Sequence, residues 1–150
     1  LEEIVTQEAK ESVQTTPQWR TGQPGLKHIL LVEDDQTLAA LEASILTAHG
    51  YSVKVIHHGG LAITEIQHAI PDLVVLDLEL ADSIGGWDVL QALRTNASIP
   101  VLITSSSAIA VRHYIHMKRE SKLTLDHLPK PYPMQTFLKR VQRMLIIAPR

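Results

Sequence analysis

Ile29-Leu30-Leu31-Val32-Glu33-Asp34-Asp35 decides the fold. Four apolar residues in a row, cut off by three acids, mark a short strand buried on both faces, because a strand with one wet face alternates apolar and polar residues. The same design returns at Leu73-Val74-Val75-Leu76, which stops at Asp77, and at Val101-Leu102-Ile103, entered through Pro100 and left through Thr104-Ser105-Ser106-Ser107. Val53, Val55 and Ile56 read as a further strand, and a weaker one is expected over residues 123–128. Helical spacing fills the gaps. Leu38, Leu41, Ile45 and Leu46 precede a stop at Gly50; Leu61, Ile63, Ile66 and Ile70 end at Pro71; Trp87, Leu90 and Leu93 form a third group. A weak helix over residues 108–119 and a strong one through Met134, Phe137, Leu138, Val141 and Leu145 follow.

Strand and helix thus alternate five times. That order predicts an α/β, doubly wound (βα)5 fold of the flavodoxin-like type, a three-layer sandwich with parallel sheet order 2-1-3-4-5 and right-handed crossovers. A closed eightfold barrel would need far more chain than 150 residues. Residues 1–26, broken by Pro17, Gly22, Pro24 and Gly25, read as a linker or tail, with a short helix expected over residues 2–13. Residues 27–147 form the expected domain and 148–150 a tail.

Composition narrows the function. The chain has no cysteine, which excludes a disulfide scaffold, a thiol nucleophile and a thiolate metal site. A net charge of −2 gives no reason to expect direct nucleic-acid binding, and no apolar run approaches the length of a membrane span. The polar, mixed-charge N-terminal stretch lacks the pattern of a secretory signal, so a cytoplasmic setting is expected, alone or as part of a larger sensor kinase. The first residue is Leu1, as in a processed or excised piece. The charge is polarised: residues 27–111 carry three basic and ten acidic residues, a net of −7, and residues 112–150 carry nine basic and two acidic, a net of +7. An acidic half suits a cation site and a basic half an anion or partner surface; a merely solvated basic helix face is the plain alternative.

Ligands of such sheets bind beyond the carboxyl ends of the strands, where strands 1 and 3 diverge. The residues placed there are Glu33, Asp34 and Asp35 after strand 1, Asp77 after strand 3, Thr104 and Ser105 after strand 4 and Lys130 after strand 5. Carboxylates this close repel unless a cation sits among them, and an all-oxygen set favours Mg2+. A carboxylate can also attack phosphorus, with metal and lysine neutralising the transferred group and a hydroxyl donating to it.

With its four motifs in order, Ile29-Leu30-Leu31-Val32-Glu33-Asp34-Asp35, Asp72-Leu73-Val74-Val75-Leu76-Asp77-Leu78, Pro100-Val101-Leu102-Ile103-Thr104-Ser105 and Lys130-Pro131-Tyr132, the chain resembles the receiver domain of two-component response regulators over residues 27–147. The resemblance implies that Asp77 accepts a phosphoryl group from a phosphohistidine of a sensor histidine kinase or histidine phosphotransfer protein. It implies Glu33 and Asp34 as the acidic metal pair, with Asp77 and the backbone carbonyl of Glu79 completing the protein's share of the Mg2+ shell. Ser105 matches the switch hydroxyl, Lys130 the phosphate-binding lysine and His127 the switching aromatic position, and the Lys130–Pro131 bond is expected to be cis. Asp35 falls one place later, as a helix cap. Helix 4, strand 5 and helix 5 become the readout surface, and the surface through which a homodimer could form.

The match has departures. Ala81 stands where the family usually carries proline, the Ser83-Ile84-Gly85-Gly86 stretch is one residue longer than usual, and the segment from Ser105 to Lys130 is long and rich in His and basic residues, so helix 4 is expected to be irregular, shifted or mobile. Two other functions remain in view: a degenerate receiver serving as an interaction module, and an aspartate-nucleophile phosphatase, for which Glu79 has the spacing of a second acid but not its identity. The absence of an output domain after residue 147 and the N-terminal linker suggest a receiver placed after another module, as in a hybrid kinase, and not a transcription factor by itself. His57-His58 as adjacent residues do not converge on a metal, Trp87 is expected in the core, and neither Gly59-Gly60 nor Gly85-Gly86 fits a phosphate-cradling loop.

Overall fold

Alternate residues of a strand face opposite sides of its sheet, so an unbroken apolar strand needs a helical layer on both sides. The computed structural model has this arrangement; it describes residues 25–95, 99–121 and 124–147. Strands β1 (His28–Val32), β2 (Ser52–Ile56), β3 (Leu73–Asp77), β4 (Val101–Ser105) and β5 (Leu125–Pro129) alternate with helices α1 (Gln36–Ala48), α2 (Gly59–His68), α3 (Gly86–Arg94), α4 (Ala108–Lys118) and α5 (Met134–Ile147). The sheet runs β2-β1-β3-β4-β5 with every neighbouring pair parallel, the predicted order. The helix expected over residues 2–13 and the tail 148–150 lie outside the described residues.

Two buried cores flank the sheet. On one face Leu30, Val32, Val74, Leu76, Val101 and Ile103 pack against Ala62 and Ile66 of α2, Val89, Leu90 and Leu93 of α3 and Val111 of α4. On the other, Ile29, Leu31, Leu73, Val75 and Leu102 meet Ala39 and Leu46 of α1 and Phe137, Leu138, Val141 and Met144 of α5. Each large side chain so buried contributes roughly 1.5–3 kcal/mol of transfer free energy.

Local signals end the helices as expected. The Asp35 side chain accepts from Leu38 N–H at 3.1 Å at the start of α1. Gly50, at φ +90°, lets the chain leave α1 while Gly50 N–H and Tyr51 N–H donate to Thr47 and Leu46 carbonyls. At the end of α3, Arg94 donates to Glu120 (2.8 Å) and to the carbonyls of Ile99 and Thr124, tying α3 to the approaches of β4 and β5.

Three expectations are corrected. The inward face of α1 is Ala39, Glu42 and Leu46, while Leu41 is exposed; Leu61 is likewise exposed and Ile70 lies beyond α2 in solvent. Trp87 is not in the core: it is 38% exposed and lies against Tyr114 with ring centroids 5.3 Å apart. Helix α4 is a continuous helix of 11 residues, not an irregular one, ended by Arg119 in the left-handed region (φ 54°). Val111 is its buried residue, and its basic and histidine side chains are directed away from the core, so they do not disturb its winding.

Candidate functional site

Register brings the strand ends together. Val32 pairs with Leu76, Asp77 with Thr104 and Ser105 with Pro129, so residues that follow β1, β3, β4 and β5 meet at one edge. Glu33, Asp34 and Asp77 each offer a carboxylate oxygen within 4.8 Å of the others. Lys130 Nζ lies 3.2 Å from Asp77 Oδ1 and 3.7 Å from Glu33 Oε1. Glu33 and Asp77 are both only 2% exposed. The Lys130–Pro131 bond is cis, as expected.

Backbone donors hold these acids in place. Glu79 N–H donates to Asp77 Oδ1 at 2.9 Å, Asp35 N–H to Glu33 Oε2 at 3.1 Å and Ala81 N–H to Asp34 Oδ2 at 2.8 Å. The last bond requires a residue other than proline at position 81, since proline has no N–H to give. Thus the departure at Ala81 has a structural use. Ser105 is buried, and its Oγ accepts from Ser107 N–H at 2.9 Å. The half-buried His127 ring brings Nε2 to 3.3 Å from the Ser105 carbonyl. The Glu79 side chain bridges to the β4–α4 loop, accepting from Ser106 N–H (2.8 Å) and Ser106 Oγ (2.5 Å).

Charge and burial oppose each other here. Burial pushes the Glu33 carboxyl up to about 8, and its hydrogen bond and repulsion with Asp77 add to the rise. Burial alone would lower Lys130, but the Asp77 and Glu33 charges outweigh it and hold the ammonium above its ordinary value. Burial holds His127 below its ordinary value, and the Ser106 donors hold Glu79 below the usual carboxylate range. Two buried acids and a third beside them exceed what one ammonium can neutralise. A hard divalent cation bound through oxygen fits this donor set, which contains no sulfur.

Glycines set the shape of the segment after Asp77. A Cβ on Gly86 would lie 2.3 Å from Leu78 Cα and 2.5 Å from the Asp77 carbonyl oxygen, and one on Gly59 would lie 2.3 Å from the Ile84 carbonyl oxygen. The N-termini of α3 and α2 therefore press directly on the two ends of the β3–α3 loop. Gly59 and Gly86 are close-packing points, whereas Gly60 and Gly85 are not.

The "Response regulator receiver domain" family matches residues 29–142 of this sequence. The chain belongs to that family. As a receiver domain of two-component signalling it is 29% identical over 119 residues to the DNA-binding response regulator MtrA of Mycobacterium tuberculosis, a match covering 79% of this chain and 50% of MtrA. The chain spans about half the length of the curated relatives it matches. Among solved structures, the receiver domain of a LuxO repressor protein from Vibrio parahaemolyticus is 27% identical with a TM-score of 0.70, covering 82% of this chain and 92% of that one. The beryllofluoride-activated receiver domain of Klebsiella pneumoniae RstA is 28% identical with a TM-score of 0.67, covering 79% and 98%. Receiver domains interact with sensor kinases, and no helix among the described residues is long and apolar enough to cross a membrane.

One residue pair behind the site escaped the sequence reading. Glu42 is 1% exposed, and Tyr132 Oη donates to its Oε2 at 2.5 Å. The signal was present: Glu42 stands three residues after Ala39 and four before Leu46, the spacing of an inward face, and a tyrosine follows Lys130-Pro131.

Proposed function

We propose that this receiver domain is a phospho-acceptor switch in which Asp77 is the acceptor. A carboxylate oxygen of Asp77 attacks the phosphorus of a phosphohistidine on a sensor kinase or phosphotransfer protein. The O–P bond forms as the P–N bond breaks, and the bonding pair leaves on the imidazole nitrogen. Lys130 faces the acceptor and offsets the charge of the incoming phosphoryl oxygens, and the Ser105 hydroxyl donates to one of them. Glu33, Asp34, Asp77 and the Glu79 carbonyl would hold Mg2+, which supplies charge neutralisation of the phosphoryl oxygens. Ser105 leaves its contact with Ser107 N–H on phosphorylation, and His127 turns to fill the space; α4, β5 and α5 carry the change to a partner or to a second copy of the chain. The setting proposed for this exchange is the cytoplasm.

The observation that carries the reading is the convergence of three carboxylates within 4.8 Å with Lys130 Nζ 3.2 Å from Asp77. The test is incubation with acetyl phosphate and Mg2+, followed by mass measurement and peptide mapping. Wild type should gain one phosphoryl group on the Asp77 peptide, labile to hydroxylamine, and Asp77→Asn should gain none. Equal labelling of both proteins, or a stable phosphate ester elsewhere, would reject the assignment.

A further inference from the structure

Glu42 is a carboxyl in a dry place. It lies on the inner face of α1, 1% exposed, with Tyr132 Oη at 2.5 Å. Among the described residues it makes no ion pair. Tyr132 is fixed in turn: its ring stacks on Phe137 of α5, and Thr104, next to Ser105 on β4, is its other polar neighbour. The charged groups acting on Glu42 are Lys130 on the β5–α5 connection, Asp77 at the end of β3 and Asp35 at the start of α1; Glu33, at the end of β1, acts on Tyr132. A negative charge added at Asp77 therefore acts on a buried carboxyl with one hydrogen bond and one distant ammonium to stabilise its ionised form.

Resting on the assignment of Asp77 as acceptor, we propose that the Glu42–Tyr132 pair is a proton-linked positioning element of the switch: Glu42 binds a proton when the acceptor site holds a phosphoryl group or its mimic, and releases it when the site is free. Burial pushes the Glu42 carboxyl up to about 7, and the Tyr132 hydrogen bond opposes the rise. The proton is thus exchanged near neutral pH. Linkage is reciprocal: if the added phosphoryl charge raises the proton affinity of Glu42, a proton on Glu42 favours the phosphorylated state by the same factor. With Mg2+ bound, the Glu42 contribution then favours phosphorylation as the pH falls through neutrality, and Tyr132 sets where that change occurs.

The experiment is titration of the purified chain, held in saturating Mg2+ throughout, with beryllofluoride at a series of pH values from 6 to 8.5, for wild type, Glu42→Gln, Tyr132→Phe and Asp77→Asn. The ratio of wild-type to Glu42→Gln affinity should rise about fivefold from pH 8 to pH 6, at the low end of common coupling energies, while the Glu33 proton acts equally in both proteins. Glu42→Gln should lose that part of the pH dependence while still binding. Tyr132→Phe should keep it but move it to higher pH, because it removes the bond that favours the ionised carboxylate; a merely structural role would leave the midpoint unmoved. A parallel melting series without Mg2+ or beryllofluoride reads the Glu42 proton directly. Wild type should lose stability relative to Glu42→Gln as the pH rises from about 4.5 to 7, since the folded form holds a proton there that the unfolded form has released. Beryllofluoride binding with the same pH profile in wild type and Glu42→Gln overturns the inference and leaves the acceptor assignment intact. Equal response of wild type and Asp77→Asn to beryllofluoride overturns the acceptor assignment instead.

Discussion

Asp77→Asn should abolish phosphoryl uptake and at the same time make the divalent-free protein more stable. The two effects have one cause. Asp77 and Glu33 are both 2% exposed, and Lys130 is the ammonium between them. An asparagine of the same shape removes one buried charge and leaves Lys130 paired with Glu33. It retains an oxygen that can accept from Glu79 N–H, as Asp77 Oδ1 does. Relief of the like-charge repulsion should contribute about 1 kcal/mol, or a rise in Tm of roughly 4 °C for a domain of this size. Mg2+ should stabilise wild type with the logarithm of its concentration above Kd and Asp77→Asn much less, because binding to the folded form alone shifts unfolding by mass action. Melting curves with and without Mg2+ measure both arms. A less stable Asp77→Asn that responds to Mg2+ like wild type would contradict this account of the acid cluster.

Gly86→Ala should be the most damaging single-methyl change near the site. The new Cβ would lie 2.3 Å from Leu78 Cα and 2.5 Å from the Asp77 carbonyl oxygen, and backbone cannot yield as a flexible side chain can. Overpacking of this kind costs about 3 kcal/mol or more, and α3 must move away from β3 to relieve it. The displaced segment is the one that carries Asp77 and Glu79, so Mg2+ affinity should fall along with stability. Gly85→Ala is the control. Its Cβ would meet nothing nearer than Asp88 Oδ2 at 3.9 Å, and Gly85 sits at an extended φ of −85° that any residue adopts. That change should stay within about 0.5 kcal/mol of wild type in urea denaturation. Equal tolerance of both substitutions would mean that α3 does not press on the acceptor loop.

The fold was legible because its signals are redundant. Ile29–Val32, Leu73–Leu76 and Val101–Ile103 are apolar without alternation, and such strands have stable use only between two helical layers. The clustering of the acids with the lysine was legible for a related reason: in a parallel sheet the residues that end the strands share an edge, so Glu33, Asp34, Asp77 and Lys130 could be grouped before their distances were known. Helix faces were read less well. Leu41 and Trp87 looked like core because they are apolar, yet a helix buries a stripe, and the stripe of α1 passes through Ala39 and Glu42 instead. Glu42 was missed because a glutamate is assigned to solvent unless its partner is known, and Tyr132 is 90 residues away in sequence. The loop contacts of Glu79 with Ser106 and of Asp34 with Ala81 were also invisible, since each depends on loop conformation and not on periodicity. For α4, polar composition suggested irregularity, but polar side chains on an outward face do not interrupt a helix.

The most direct test is a crystal structure of the chain with Mg2+ and beryllofluoride. The account predicts the beryllium bonded to a carboxylate oxygen of Asp77, Mg2+ against Glu33 or Asp34, and the Lys130 ammonium and Ser105 hydroxyl turned to the fluorines. Beryllofluoride bound away from Asp77, or Lys130 turned out to solvent in the complex, would contradict it.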